Sequence, residues 1–210
     1  MRSVLAGKRI VLGVTGSIAA YKAAYLASAL TQAGSLVDVV MTESATKLIA
    51  PLTFQSLVQR PVHLDMFSLT SDVQITHVSL GVSADVIVVA PATANSIAKF
   101  AHGLADDLLS TTVLAARCPV VVAPAMDVDM YENPATQENV AKLRERGILV
   151  VEPEAGRLAS GLTGRGRLAD PDVIISRIRS VLARSGDLAG LSVLVTAGGT
   201  QEPIDPVRVI

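Results

Sequence analysis

At 210 residues, half of them apolar and only 3% aromatic, the chain is long enough for one large domain, or one domain plus a fragment, with a core of Ala, Val, Leu and Ile. A formal charge of −1 excludes the broad basic footprint of a nucleic-acid binder, and a single cysteine, Cys118, excludes an internal disulfide framework. No uncharged apolar run reaches the ~18 residues of a membrane span, and the basic start at Arg2, Lys8 and Arg9 leads into a run interrupted by Gly13, Thr15, Gly16 and Ser17, so a cytoplasmic chain is expected rather than a secreted one.

In chain order, Lys8–Val14 reads as a strand and Ser17–Ala33 as a helix stopped by Gly34. Leu36–Met41 is a second strand. Ala45–Gln59 has helical spacing broken by Pro51, and Val62–Leu64 reads as a short strand. Val86–Ala90 is a buried strand expected to stop in the turn at Pro91. Helices follow within Ala94–Phe100 and from about Asp106 to Ala116. Pro119–Ala123 is a strand headed by Cys118, read as a buried structural thiol. Asn133 and Pro134 open the next helix as N-cap and first helical residue, and Gly147 closes it. Ile148–Val151 is a strand and Val173–Arg184 a helix. This alternation predicts an α/β fold: a Rossmann-like, doubly wound parallel sheet between two helical layers. Glu154–Leu168 holds four glycines and three arginines, and reads as too Gly-rich for a regular element. Ser185–Gly190 reads as a linker. Leu191–Thr196, followed by Ala197-Gly198-Gly199-Thr200, reads as the first strand and turn of a second unit, so the chain is expected to be part of a two-domain protein.

In an open parallel sheet, ligands bind at the carboxyl ends of the strands. Four such ends carry small or polar residues. Gly16 permits a tight turn and Ser17 is placed to cap a helix or meet a phosphate, but the spacing is not the dinucleotide fingerprint, so a mononucleotide is favoured. Thr42 and Ser44 lie beside that turn; their alternative role is N-capping. Thr93 and Asn95 offer a hydroxyl and an amide with almost no charge, which suits a flat ligand with many acceptors, such as a flavin. Ala125, Met126 and Asp127 close the row; core packing and a turn carboxylate are the alternatives for the last two. Asp106 and Asp107 read as helix caps, since nothing sits at metal-ligand spacing around them. His77 is either a structural histidine or a general base near neutral pH, and His63 and His102 read as surface or packing residues.

Together, Gly13-Val-Thr-Gly-Ser-Ile-Ala-Ala-Tyr-Lys22, His77, Ala90-Pro-Ala-Thr-Ala-Asn95, Pro124-Ala-Met126 and Asn133-Pro-Ala-Thr136 resemble the FMN-dependent cysteine decarboxylases, and within them the phosphopantothenoylcysteine decarboxylase branch. The resemblance runs from about Lys8 to Pro171. Thr196-Ala-Gly-Gly-Thr-Gln-Glu-Pro-Ile-Asp205 resembles the opening of a phosphopantothenate–cysteine ligase. The resemblance implies residues 1–184 as an FMN-binding decarboxylase domain, 185–190 as linker and 191–210 as a truncated ligase start, with Mg2+ and CTP belonging only to the ligase. It implies conversion of 4′-phosphopantothenoylcysteine to 4′-phosphopantetheine in coenzyme A biosynthesis: thiol oxidation by the flavin, loss of CO₂, and return of the electrons. It implies trimers, and often a dodecamer of four trimers, with FMN at the subunit interface. His77 corresponds to the catalytic histidine, and Gly16, Ser17, Ile18, Thr42, Ser44, Thr93, Asn95, Ala125 and Met126 to the flavin cradle. Asp127 replaces the asparagine that holds the substrate carboxylate, and Ser160 replaces a cysteine proton donor. Two carboxylates ~4 Å apart repel by about 4 kcal/mol at an effective dielectric near 20, so Asp127 is expected to be protonated, turned away or engaged elsewhere. Arg165 and Arg167 are expected to bind the substrate phosphate. The departures keep open a diverged, non-catalytic FMN-binding flavoprotein, a peptidyl-cysteine decarboxylase and a flavin prenyltransferase.

Overall fold

The computed structural model describes residues 3–66, 76–185 and 191–192. The expected second unit, from residue 193 onward, lies outside them. The elements run β1 (Arg9–Val14), α1 (Ala20–Gln32), β2 (Leu36–Met41), α2 (Glu43–Thr46), α3 (Pro51–Val58), β3 (Val62–His63), α4 (Thr76–Ser83), β4 (Val86–Ala92), α5 (Ala94–His102) and α6 (Leu108–Leu114). They continue with β5 (Val120–Pro124), α7 (Val128–Glu132), α8 (Pro134–Glu145), β6 (Leu149–Val150), β7 (Glu154–Arg157), β8 (Thr163–Arg167) and α9 (Pro171–Leu182).

Six strands form one parallel sheet in the order β3-β2-β1-β4-β5-β6. Its centre is apolar at every position because both faces are covered: all seven residues of β4 and all five of β5 are buried. Alternate residues feed two cores. Ile10, Leu12, Val88 and Val121 pack with Leu26 and Leu30 of α1, Phe54 of α3 and Ile174 and Ile178 of α9. Val11, Ile87, Val89 and Val122 pack with Leu80 of α4, Ile97 of α5, Leu109 of α6 and Leu143 of α8. Each such side chain contributes about 1.5–3 kcal/mol on burial. Strand order reverses at β1, which lies between β2 and β4. The crevice above the carboxyl ends of β1 and β4 is therefore the switch point where open α/β sheets bind ligands. The sheet edges, β3 and β6, are two residues long.

Four local expectations change. β4 does not stop before Pro91. It continues to Ala92, because β5 keeps pairing beyond a register shift between Val89 and Ala92. α1 starts at Ala20 rather than Ser17, since Thr15–Ala19 is a turn in which the Ser17 N–H donates to the Thr15 carbonyl (2.8 Å); no side chain caps the helix. A short helix, α7, follows Asp127, which caps it. The Gly-rich stretch is an antiparallel hairpin, β7–β8. Its glycines serve close approach: a Cβ at Gly166 would strike the Met126 carbonyl oxygen, and one at Gly164 would strike Val128. The Met126 N–H donates to the Gly166 carbonyl (3.0 Å), seating the hairpin on the sheet's carboxyl edge.

Candidate functional site

Two cavities adjoin at the switch point. The smaller, about 450 Å³, is lined by Gly16, Thr42, Ser44, Thr93, Asn95 and Lys99, among others. The larger, about 470 Å³, runs beneath the hairpin and is lined by Ser17, Ile18, Lys22, Asp127, Arg157 and Arg167, among others. Gly16, Thr93, Ala94 and Met130 belong to both.

Loop packing fixes the floor. The buried Thr15 hydroxyl donates to the Pro91 carbonyl (2.8 Å) and accepts from the Thr93 N–H (3.0 Å), locking the β1 and β4 loops together. A Cβ at Gly16 would collide with the Ser44 side chain, so glycine there brings the β1 and β2 loops into contact. Thr42 caps α2, accepting from the Ala45 N–H (3.3 Å), and Thr93 caps α5, accepting from the Ser96 N–H (3.3 Å). The N–H groups of Gly16 and Ile18 have no partner among the described residues. With the hydroxyls of Ser17 and Ser44 and the Asn95 amide, they make a donor-rich cradle. Such a set can hold the phosphate and flat ring system of a flavin mononucleotide.

Lys99 is the cation of the smaller cavity. Its Nζ lies 2.6 Å from Asp106 and 2.7 Å from Asp107. Burial disfavours its charge, but the two carboxylates outweigh burial and hold its pKa above the ordinary lysine value. Burial likewise opposes ionisation of Asp107. Hydrogen bonds from Lys99 and from the backbone and hydroxyl of Ser110 outweigh it and hold the carboxyl below the usual carboxylate range. Asp107 is the N-cap of α6, in a reciprocal capping box with Ser110.

The other expected residues are placed as follows. Ala125 and Met126 line the larger cavity. Asp127 lines it too, but its carboxylate accepts from the Asp129 N–H at 3.3 Å, so it is engaged by its own helix. Ser160 lies on the exposed hairpin turn, where its hydroxyl accepts from the Leu162 N–H (3.4 Å), and lines neither cavity. Arg165 is exposed and also lines neither, whereas Arg157 and Arg167 line the larger cavity. His77 lines neither cavity. It sits at the start of α4 with Nδ1 buried and without a hydrogen-bond partner among the described residues. Cys118 is half-buried, and burial, the largest influence, pushes its thiol pKa up, which keeps it a poor nucleophile. His102 meets Asn139 at 3.0 Å, a packing role. Among the described residues no group of three or more His, Cys, Asp or Glu side chains gathers to hold a metal, and no helix is long and apolar enough to cross a membrane.

Lys22, Lys99 and Arg157 line the cavities without having been singled out from sequence. The first two carried a usable signal. Lys22 closes the motif that begins at Gly13, and Lys99 follows Asn95 by four within α5, the spacing that stacks helical side chains on one face.

The Flavoprotein family model matches residues 2–183, and that of the DNA/pantothenate metabolism flavoprotein C-terminal domain matches residues 188–210. The chain is 50% identical over 209 residues to the coenzyme A biosynthesis bifunctional protein CoaBC of Mycolicibacterium smegmatis, covering 98% of this chain and 50% of that protein. It is 47% identical over 207 residues to CoaBC of Bacillus subtilis, covering 98% and 51%. The chain thus spans about half the length of the curated relatives it matches. Among solved structures, the FMN-dependent cysteine decarboxylase SpaF superposes with a TM-score of 0.74 at 37% identity, covering 86% of this chain and 98% of that one. A PPC decarboxylase mutant complexed with pantothenoylaminoethenethiol gives 0.75 at 35%, covering 83% and 97%.

Proposed function

This chain belongs to the Flavoprotein family, and from that premise we propose that residues 1–184 are an FMN-binding domain that decarboxylates 4′-phosphopantothenoylcysteine to 4′-phosphopantetheine in coenzyme A biosynthesis. Residues 185–190 are its linker, and 191–210 open a phosphopantothenate–cysteine ligase domain, where Mg2+ and CTP would act. The change of matching family between residues 183 and 188 supports that division, and names and identities of the bifunctional relatives support the reaction. The protein works in the cytoplasm.

The observation that carries the reading is the pair of joined cavities at the switch point, one a donor-rich cradle whose Lys99 is held by carboxylates and one with a cationic lining beneath a hairpin. Bound FMN supplies the two-electron oxidation that labilises the carboxylate, and the return of those electrons. The chain's residues do the rest. Gly16, Ser17, Ile18 and Ser44 hold the cofactor phosphate, and Thr42, Thr93, Asn95, Ala125 and Met126 border the ring system. Asp127 shapes the substrate end, with its charge held by the α7 backbone rather than facing the departing carboxylate. Ser160, on the turn, reaches the site only if the hairpin closes.

His77 is the proton-transfer residue, supplied across a subunit interface. Its absence from the lining of both cavities supports this, as do the exposed apolar Val78 and Val82 beside it on α4 and Leu114 at the end of α6. Trimers, assembled further into a dodecamer, would cover these side chains and bring His77 to a neighbouring cavity. The test is direct. Full-length protein loaded with FMN is incubated with 4′-phosphopantothenoylcysteine and its product weighed by mass spectrometry. Loss of CO₂ to give 4′-phosphopantetheine is expected; bound flavin without turnover makes the chain a non-catalytic flavoprotein instead.

A further inference from the structure

We propose that Tyr131 is a positioning residue: its hydroxyl, held by Glu152, fixes the seat of α7 and so sets where Asp127 and Met130 stand in the cavity walls. The inference rests on the reading above, in which substrate enters the larger cavity. It adds a residue that lines neither cavity but aligns two that do.

A short helix needs anchors. α7 has five residues, Val128–Glu132, far fewer than the ~12–15 at which an isolated helix is even marginal in water. Its position is therefore set by what it packs against. Asp127, its N-cap, lines the larger cavity, and half-exposed Met130 lines both. Tyr131, the next residue, lies about 100° further round the helix and is buried, with 4% of its surface exposed. On the hairpin side, a Cβ at Gly164 would strike Val128. That apolar contact limits how closely the hairpin approaches, but it does not choose a rotation for the helix.

Tyr131 supplies that direction. Its hydroxyl donates to Glu152 Oε2 (3.0 Å). The other oxygen of Glu152 accepts from the Arg144 guanidinium of α8, so the acceptor is itself held. Glu152 follows Val151, whose N–H donates to the Val122 carbonyl of β5 (2.9 Å), which ties the acceptor to the sheet. The Tyr131 carbonyl accepts from the side-chain amide of Gln137 on α8. One residue of α7 is thus tied to the sheet through its ring and to α8 through its backbone. Burial, and then the Glu152 charge, push the phenol pKa above its ordinary value, so the hydroxyl keeps the proton it donates. Burial alone asks only for an aromatic ring, and a phenylalanine ring would fill the same space. The hydroxyl adds a bond of defined length and angle, and a displacement of Tyr131 carries Met130 and Asp127 with it. Glu152 and Arg144 are both about half-exposed, so their ion pair contributes little to stability by itself. Its effect is on where the acceptor stands.

The test uses full-length, FMN-loaded protein. Y131F deletes the hydroxyl and keeps the ring, E152A deletes the acceptor, and E152Q keeps one. With 4′-phosphopantothenoylcysteine, Y131F and E152A are each expected to raise KM about fivefold, the weight of one hydrogen bond, with kcat within about twofold of wild type. The double variant is expected to be no worse than either single one, because both remove the same bond, and E152Q to lie nearer wild type than E152A. Retained flavin absorbance shows that each variant is folded, and E152A serves if Y131F is not. A lowered melting temperature with unchanged KM in Y131F overturns the proposal, and so do effects that multiply in the double variant. A second readout needs no substrate: the methyl NMR signal of Met130, assigned with M130L. It is expected to shift in Y131F and E152A alike, and an unmoved signal in both overturns the proposal. Absence of turnover by wild type sinks the functional reading instead, and the Met130 signal then decides whether Tyr131 positions α7.

Discussion

Asp107 shows how one side chain serves both fold and site. It caps α6, accepts from Ser110 and anchors Lys99 at the edge of the smaller cavity. Its folded-state pKa is depressed, so its charge contributes stability above the unfolded-state value, ~3.9, and that contribution is lost as pH falls through the folded value. Asparagine caps a helix as well as aspartate does, so D107N removes the charge and keeps the cap. D107N is expected to cost about 1 kcal/mol or less at pH 7 in urea unfolding. The gap between wild type and variant should narrow as pH falls below ~4 and close once pH lies below the depressed folded-state value, where both carry a neutral side chain; a gap that never narrowed would deny the charge its role. At Thr42, Thr93 and Asp107 capping and cavity lining are therefore not alternatives: each caps a helix that begins at the cavity wall.

At the scale of elements, the hairpin is the part the sequence hid. Strands of the sheet were legible because burial on both faces demands continuous apolar runs, and Val86–Val89 and Val120–Val122 can be nothing else. The hairpin has no such demand. It is held by close backbone contact and by its turn, so its pattern is glycine spacing rather than hydrophobicity, and spacing alone does not say which arginine turns inward. The same lack of an apolar signature hid α7, a single turn launched by Asp127. Gly166 gives the hairpin's dependence on contact a test. In G166A the new methyl meets the Met126 carbonyl, and overpacking of this kind costs about 1–3 kcal/mol. The expected result is a lower melting temperature and a raised KM for substrate with FMN still bound, because Met126 and Asp127 shift while the β1 and β4 loops do not. Loss of FMN together with KM would place the hairpin's seat in the cofactor site instead.

At the scale of the whole molecule, the cradle was legible because it sits at consecutive strand ends of one chain. The setting of His77 was not: its neighbours in sequence give no sign that it lines neither cavity. The interface reading makes a quantitative prediction. H77N is expected to retain FMN and lose decarboxylation, and N95A to lose activity through the cradle. Co-assembled in equal amounts, the two should regain activity at about a quarter of their sites, those pairing an intact cradle with an intact histidine across the interface. Mixed assemblies as inactive as their parents would return His77 to a role within its own chain.

The two-residue edge strands β3 and β6 bear on how copies of this chain meet. A long bare edge offers main-chain hydrogen bonds to any passing strand, and so invites unlimited stacking. Here each flank of the sheet presents almost no backbone ladder to extend. The association proposed above would then rest on side chains rather than on an extended backbone ladder. Short edges on both sides thus suit the finite assembly proposed above rather than a fibre.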